Sequence, residues 1–112
     1  EDPPEHTAAG IQAILTTLRT RLPQTKVLLL AVFPRGASAD DPHRLVNQAV
    51  NERLRAFADQ RHVFFLDLGP RFLDKAGRLS EEVMPDALHP NDRGYRLWAE
   101  GMEDLVKTLL GE

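Results

Sequence analysis

The strongest constraint on the fold is a pair of short segments, Lys26 to Val32 (KVLLLAV) and Val63 to Leu68 (VFFLDL), that are apolar without alternation. A strand with one face in water alternates apolar and polar residues. A short unbroken apolar run instead predicts a strand covered on both faces, as in a parallel sheet packed between helices. Pro34-Arg35-Gly36 follows the first run and Gly69-Pro70 ends the second. Between them, Asp41-Pro42 reads as a helix cap and first turn, and Leu45, Val46, Ala49, Val50, Leu54 and Phe57 form an inward stripe. Strand, helix and strand make one β-α-β unit, with parallel strands and a right-handed crossover.

Two more helices flank this unit. Asp2 is placed to cap the first, with Pro3 and Pro4 in its first turn and Glu5 three residues after the Asp. Ile11, Ile14, Leu15, Leu18 and Leu22 recur at helical spacing, and Pro23 stops the run. After Pro70 the pattern is irregular, with a turn at Lys75-Ala76-Gly77-Arg78 and a short helix expected at Ser80 to Met84. The last helix begins after Asn91, its cap, and carries Tyr95, Trp98, Met102, Leu105, Val106 and Leu109 on one side, with Gly111 at its end. With 112 residues and no repeat or linker, the chain is part of one α/β domain without an internal boundary.

Three amphipathic helices around two strands is an imbalance. Two parallel strands leave two open edges and cannot shield a KVLLLAV segment from water. Each exposed Leu or Val forgoes roughly 1.5–3 kcal/mol of burial. The chain is therefore expected to pair with strands from another polypeptide or copy, or to be part of a larger sheet; the alternative is a small domain that covers its own edges with loops.

Composition removes several function classes. The absence of cysteine excludes a disulfide framework, a thiolate nucleophile and a cysteine zinc site, and leaves the redox compartment open. A net charge of −3 without a basic stripe speaks against a nucleic-acid partner. The longest apolar run, Val27 to Phe33, is too short to span a membrane.

Chemistry concentrates in Pro85-Asp86-Ala87-Leu88-His89-Pro90-Asn91-Asp92-Arg93-Gly94-Tyr95. A carboxylate three residues before a histidine, in a loop ahead of a helix, can accept the imidazole Nδ1–H. That bond fixes the tautomer and leaves Nε2 as a base. The same spacing also describes a helix cap beside a surface histidine, so spacing alone leaves both readings open.

This block, with Trp98-Ala99-Glu100 after it, resembles the last block of the SGNH (GDSL-type) hydrolases. The upstream segments are similar to the subgroup of platelet-activating-factor acetylhydrolase Ib catalytic subunits. They are Leu28 to Val32 running into Phe33-Pro34-Arg35-Gly36, Asn47 and Asn51, Phe65-Leu66-Asp67-Leu68-Gly69, Leu79-Ser80 and Met84-Pro85-Asp86. The resemblance implies a three-layer α/β/α sandwich with a parallel, flavodoxin-like sheet, of which this chain is the C-terminal half. It implies a Ser-His-Asp esterase acting on a small acyl ester, short-chain or acetyl, without a metal or organic cofactor. Asp86 and His89 take the places of the orienting acid and the base. No Gly-Asp-Ser segment is present, and Ser38 and Ser80 lack its context. The nucleophile and oxyanion hole are thus expected upstream of Glu1, and the chain alone is expected to be inactive. The alternative reading is a non-catalytic fragment or assembly module that completes a sheet with another chain.

Phe33, Arg35 and Leu88 are candidate substrate contacts, the first two after a strand end and the third beside His89. Asp67 also ends a strand and competes with Asp86 as the acid, although a cap on the following Gly-Pro-Arg-Phe turn accounts for it. Asn47 and Asn51 read as a solvated helix edge or a site, Tyr95 and Trp98 as core, and Gly94 as a point of close packing. His6, His43 and His62 have no metal-ligand spacing.

Overall fold

The computed structural model describes residues 3–111, so the Asp2 cap lies outside the described residues. Pro4 opens the first helix, α1 (Pro4–Arg21), where the missing proline N–H is no loss. The first strand, β1, is Val27–Leu30. The second helix, α2, is Pro42–Arg55, and Asp41 caps it by accepting the His43 N–H at 2.9 Å. The second strand, β2 (Val63–Leu66), runs into a 3₁₀ turn at Gly69–Phe72. The third helix, α3 (Asp92–Leu109), is capped by Asn91, whose Oδ1 accepts the Gly94 N–H at 2.9 Å. It ends where Gly111, at φ +82°, donates to the Thr108 carbonyl.

The two strands pair in parallel, Val27 opposite Val63 through Leu30 opposite Leu66. Successive side chains alternate between the faces of the sheet. On one face Leu29 and Phe65 join Ala8 and Ile11 of α1 and Val50 and Leu54 of α2. On the other, Leu66 packs with Leu68, Phe72 and Met84 against Leu97, Trp98 and Met102 of α3. Helices thus lie on both faces, in the α/β/α order that the apolar strands predicted, although β1 is left partly open.

Several details differ from the expectations. Both strands are shorter than the apolar runs, and all four β1 residues are half-buried rather than covered. Among the described residues each strand has one strand neighbour, so one edge of each lacks a β partner. The α1 stripe is likewise split: Leu15 is buried but Ile14 is 61% exposed and Leu22 51%. On α2 Leu45 is exposed, and on α3 Tyr95 stands half in solvent while Trp98 carries the core contact. Ser80 to Met84 forms a hydrogen-bonded turn instead of a helix, with the Val83 and Met84 N–H groups both donating to the Ser80 carbonyl. Pro85 follows at once, and the residue before a proline is driven out of the helical region.

Candidate active site

The loop carrying Asp86 and His89 folds on itself. The Asp86 Oδ1 accepts the backbone N–H of His89 at 2.7 Å and of Leu88 at 3.0 Å, an Asx turn. The Asp86 Oδ2 lies 2.7 Å from Nδ1 of the His89 ring. Ala87, between them, has φ +58°, a left-handed conformation that brings the two following N–H groups round onto the carboxylate. Both carboxylate oxygens are therefore engaged by a peptide segment of four residues.

These bonds set the charge. The His89 backbone N–H first, then its ring and the Leu88 N–H, hold the Asp86 carboxyl down at about 2. Asp86 is thus an acceptor at neutral pH, and Nδ1 of His89 carries the donated proton. With Nδ1 engaged, Nε2 is the ring nitrogen left to take a proton. Because the folded value lies below that of an unfolded aspartate, near 3.9, the carboxylate's hold on the loop is complete above about pH 4 and is lost as pH falls through about 2. A carbon-13 titration of the Asp86 carboxyl should show a midpoint near 2; an ordinary midpoint near 4 would contradict these contacts.

The loop is anchored at both ends. Asn91 donates from Nδ2 to the Glu82 carbonyl at 2.9 Å and from its N–H to the Val83 carbonyl at 3.0 Å. Gly94 allows α3 to sit on this segment, because a Cβ there would strike the Val83 carbonyl and lie 2.9 Å from the Pro90 Cβ. Gly94 is thus the point of close packing expected of it, and the segment it meets is the one that carries His89. Both site side chains remain accessible, Asp86 at 54% and His89 at 73%.

The other candidates are distributed around the strand ends. Phe33 turns its ring into the core, edge-on to Phe72 at 5.1 Å and Trp98 at 6.0 Å. Arg35 is half-buried on the same segment, and Leu88 is 39% exposed beside His89. Asp67 precedes the Leu68 cap of the 3₁₀ turn and braces its entry by accepting the Gly69 N–H at 2.8 Å, and it stands 3.9 Å from Arg55. It lines a cavity of about 130 Å³ with Pro34, Asn47 and Asn51, a lining that includes neither Asp86 nor His89. The Ser80 Oγ accepts the Glu82 N–H and the Ser38 Oγ donates to Asp40, so each serves its local turn.

Asn47 and Asn51 are neither a solvated edge nor part of the pair. The Asn51 amide accepts the Val32 N–H at 2.7 Å and donates to the Val32 carbonyl at 3.0 Å, replacing a strand neighbour where β1 has ended. Asn47 donates to the Phe33 carbonyl at 3.0 Å. Arg44, which sequence reasoning passed over, is 1% exposed and donates to the Gly77 carbonyl at 2.5 Å and the Gly36 carbonyl at 2.8 Å. The available signal was phase: Arg44, Asn47 and Asn51 lie three, four and three residues apart on the way to buried Leu54, on one helical face.

Comparison with known proteins gives this geometry a lineage. The model of the GDSL-like Lipase/Acylhydrolase family matches residues 1–97. The human platelet-activating factor acetylhydrolase IB subunit alpha1 is 35% identical over 109 residues, which cover 96% of this chain and 47% of that protein. The rat subunit alpha2 is 34% identical over 113 residues, covering all of this chain and 49% of the relative. The chain thus spans about half the length of the curated relatives it matches. A solved protein described as a platelet activating factor from Streptococcus pneumonia superposes with a TM-score of 0.76 at 21% identity, over 92% of this chain and 51% of that one. One assigned as an acylhydrolase from Bacteroides fragilis gives 0.75 at 21% identity, over 95% and 53%. The two superpositions agree in fold with the parallel α/β arrangement found here. Sequence match, shared fold and the block around Asp86 and His89 converge, and the chain belongs to the GDSL-like lipase/acylhydrolase family.

Proposed function

We propose that this chain supplies the acid and base of an acyl-ester hydrolase whose nucleophilic serine and oxyanion donors lie outside its 112 residues. The observation that carries the reading is the 2.7 Å contact between the Asp86 Oδ2 and the His89 Nδ1, in a loop that also holds Asp86 ionised. The serine Oγ attacks the ester carbonyl carbon while its proton passes to Nε2 of His89. The imidazolium, stabilised by Asp86, gives that proton to the departing alkoxide, leaving an acyl-serine. Water then adds to the acyl carbon, again losing a proton to Nε2, and the acid leaves as Oγ recovers its proton. A short acyl group, acetyl first, agrees with the names of the acetylhydrolase relatives.

The partner is a chain segment bringing strands to the unpaired sheet edges. The half-buried β1 and a groove at Leu28, Val106 and Leu109 present apolar surface at the sheet, and Ile14 and Leu22 of α1 are exposed as well. The curated relatives are about twice as long as this chain, which leaves room for that segment. Water exclusion around the accessible pair would follow from the same docking.

The test is to treat the natively purified protein with a fluorophosphonate and locate the adduct by mass spectrometry. A labelled serine in a Gly-Asp-Ser segment, with loss of p-nitrophenyl acetate hydrolysis, is expected. Hydrolysis with the label on Ser38 or Ser80 would overturn the assignment of the nucleophile. A co-purifying strand-bearing chain with neither label nor turnover would favour an assembly module instead.

A further inference from the structure

We propose that Arg44 is a positioning residue for the Asp86–His89 pair, a buried brace that holds the pair's loop through Gly36. The inference rests on the esterase reading for its kinetic consequences, but its geometry stands apart from that reading. Arg44 lies in the first turns of α2 at 1% exposure, and its fork divides between two loops: Nη1 donates to the Gly77 carbonyl and Nη2 to the Gly36 carbonyl. Its Nε is buried with no partner among the described residues. Burying a guanidinium is expensive, and an apolar side chain of similar volume would fill the space at lower cost. What the apolar side chain lacks is the fixed angle between two donors, which sets the distance between the two loops.

Gly36 passes that constraint on. Its carbonyl is held by Arg44, while its N–H donates to the Ala87 carbonyl at 3.0 Å. Its φ of +85° and the Asp41 carboxylate lying where a Cβ would stand allow no other residue there without rearrangement. Ala87 is the residue at φ +58° that turns the Leu88 and His89 N–H groups onto Asp86. A non-glycine residue in that region persists when its surroundings over-determine it. Here the surroundings are the Gly36 N–H on the Ala87 carbonyl and the Met84 carbonyl on the Ala87 N–H. The path therefore runs from Arg44 to Gly36 to Ala87, and from there to the angle at which Asp86 meets the imidazole.

The experiment is a double-mutant cycle in the natively purified protein, with a spectroscopic control. Arg44→Met should lower kcat about tenfold with KM within about twofold, and should cost less than about twofold in an Asp86→Asn background. Equal losses in both backgrounds, or an unchanged kcat, would overturn the brace. Histidine nitrogen-15 labelling reads the same claim without turnover. In Arg44→Met the His89 Nδ1–H resonance should broaden or move upfield while the far-ultraviolet circular dichroism stays native, and an unmoved resonance would refute the proposal. If Arg44→Met does not fold, Arg44→Lys keeps the charge but reaches one carbonyl, and it should give a smaller loss with the same dependence on Asp86. A wild-type assembly that contains the serine-bearing segment yet lacks esterase activity would defeat the esterase reading while the imidazole resonance still judges the brace.

Discussion

Replacing His89 by alanine should lower p-nitrophenyl acetate hydrolysis by the assembled enzyme about 10⁴-fold, with little change in folding. The small structural effect is expected because the His89 ring is 73% exposed and its hydrogen bond goes to an equally local carboxylate. The large kinetic effect follows from losing the group that takes the serine proton and returns it to the leaving alcohol. Serine alone is a weak nucleophile near neutral pH. Steady-state kinetics beside a thermal melt separates the two effects, and activity within a few fold of wild type would remove His89 as the base.

Asp86→Asn should produce a loss of about 10³- to 10⁴-fold while the loop stays closed. The asparagine Oδ1 can still accept the Leu88 and His89 N–H groups that bind the Asp86 Oδ1 now. The other side-chain atom becomes an NH₂ facing Nδ1, which favours the tautomer with its proton on Nε2 and removes the base. It also removes the negative charge that stabilises the imidazolium. Asp67→Asn is the contrasting case: Asp67 braces the entry to the Gly69 turn and stands 3.9 Å from Arg55, so its loss should change turnover by no more than a few fold. A collapse of kcat in Asp67→Asn with an active Asp86→Asn would reverse the two roles.

The sequence was most legible where structure depends on neighbours along the chain. Asp41 and Asn91 announce their helix starts because capping needs only a short acceptor and an N–H two or three residues on. Pro23 marks the end of α1 within two residues for the same local reason. The Asp86–His89 contact belongs with these, since a carboxylate three residues before an imidazole reaches it through a single turn. The Ser80–Met84 segment shows where local reading falls short, because helix-compatible residues ahead of Pro85 make only a turn.

Helical phase places Arg44, Asn47 and Asn51 on the face of buried Leu54, but their partners were not written in any local pattern. Asn47 and Asn51 look like solvent-facing amides until β1 ends beside them and leaves the Val32 and Phe33 backbone groups without a strand partner. Arg44 looks like an exposed cation until Gly36 and Gly77, each a loop away, present their carbonyls to it. A polar side chain is buried wherever partners from distant segments meet it, and their meeting depends on the packing of the whole molecule.

By itself, the sequence determined the order of helices and strands, the parallel pairing implied by strands apolar on both faces, and the acid–histidine turn. Each follows from periodicity or from contacts a few residues apart. Tertiary structure alone decided that β1 is half-buried, that Phe33 faces the core, and that a buried guanidinium ties the Gly36 and Gly77 loops together. Those outcomes depend on which surfaces remain to be covered once the layers have packed, and burial is a property of the packed molecule that no local pattern contains.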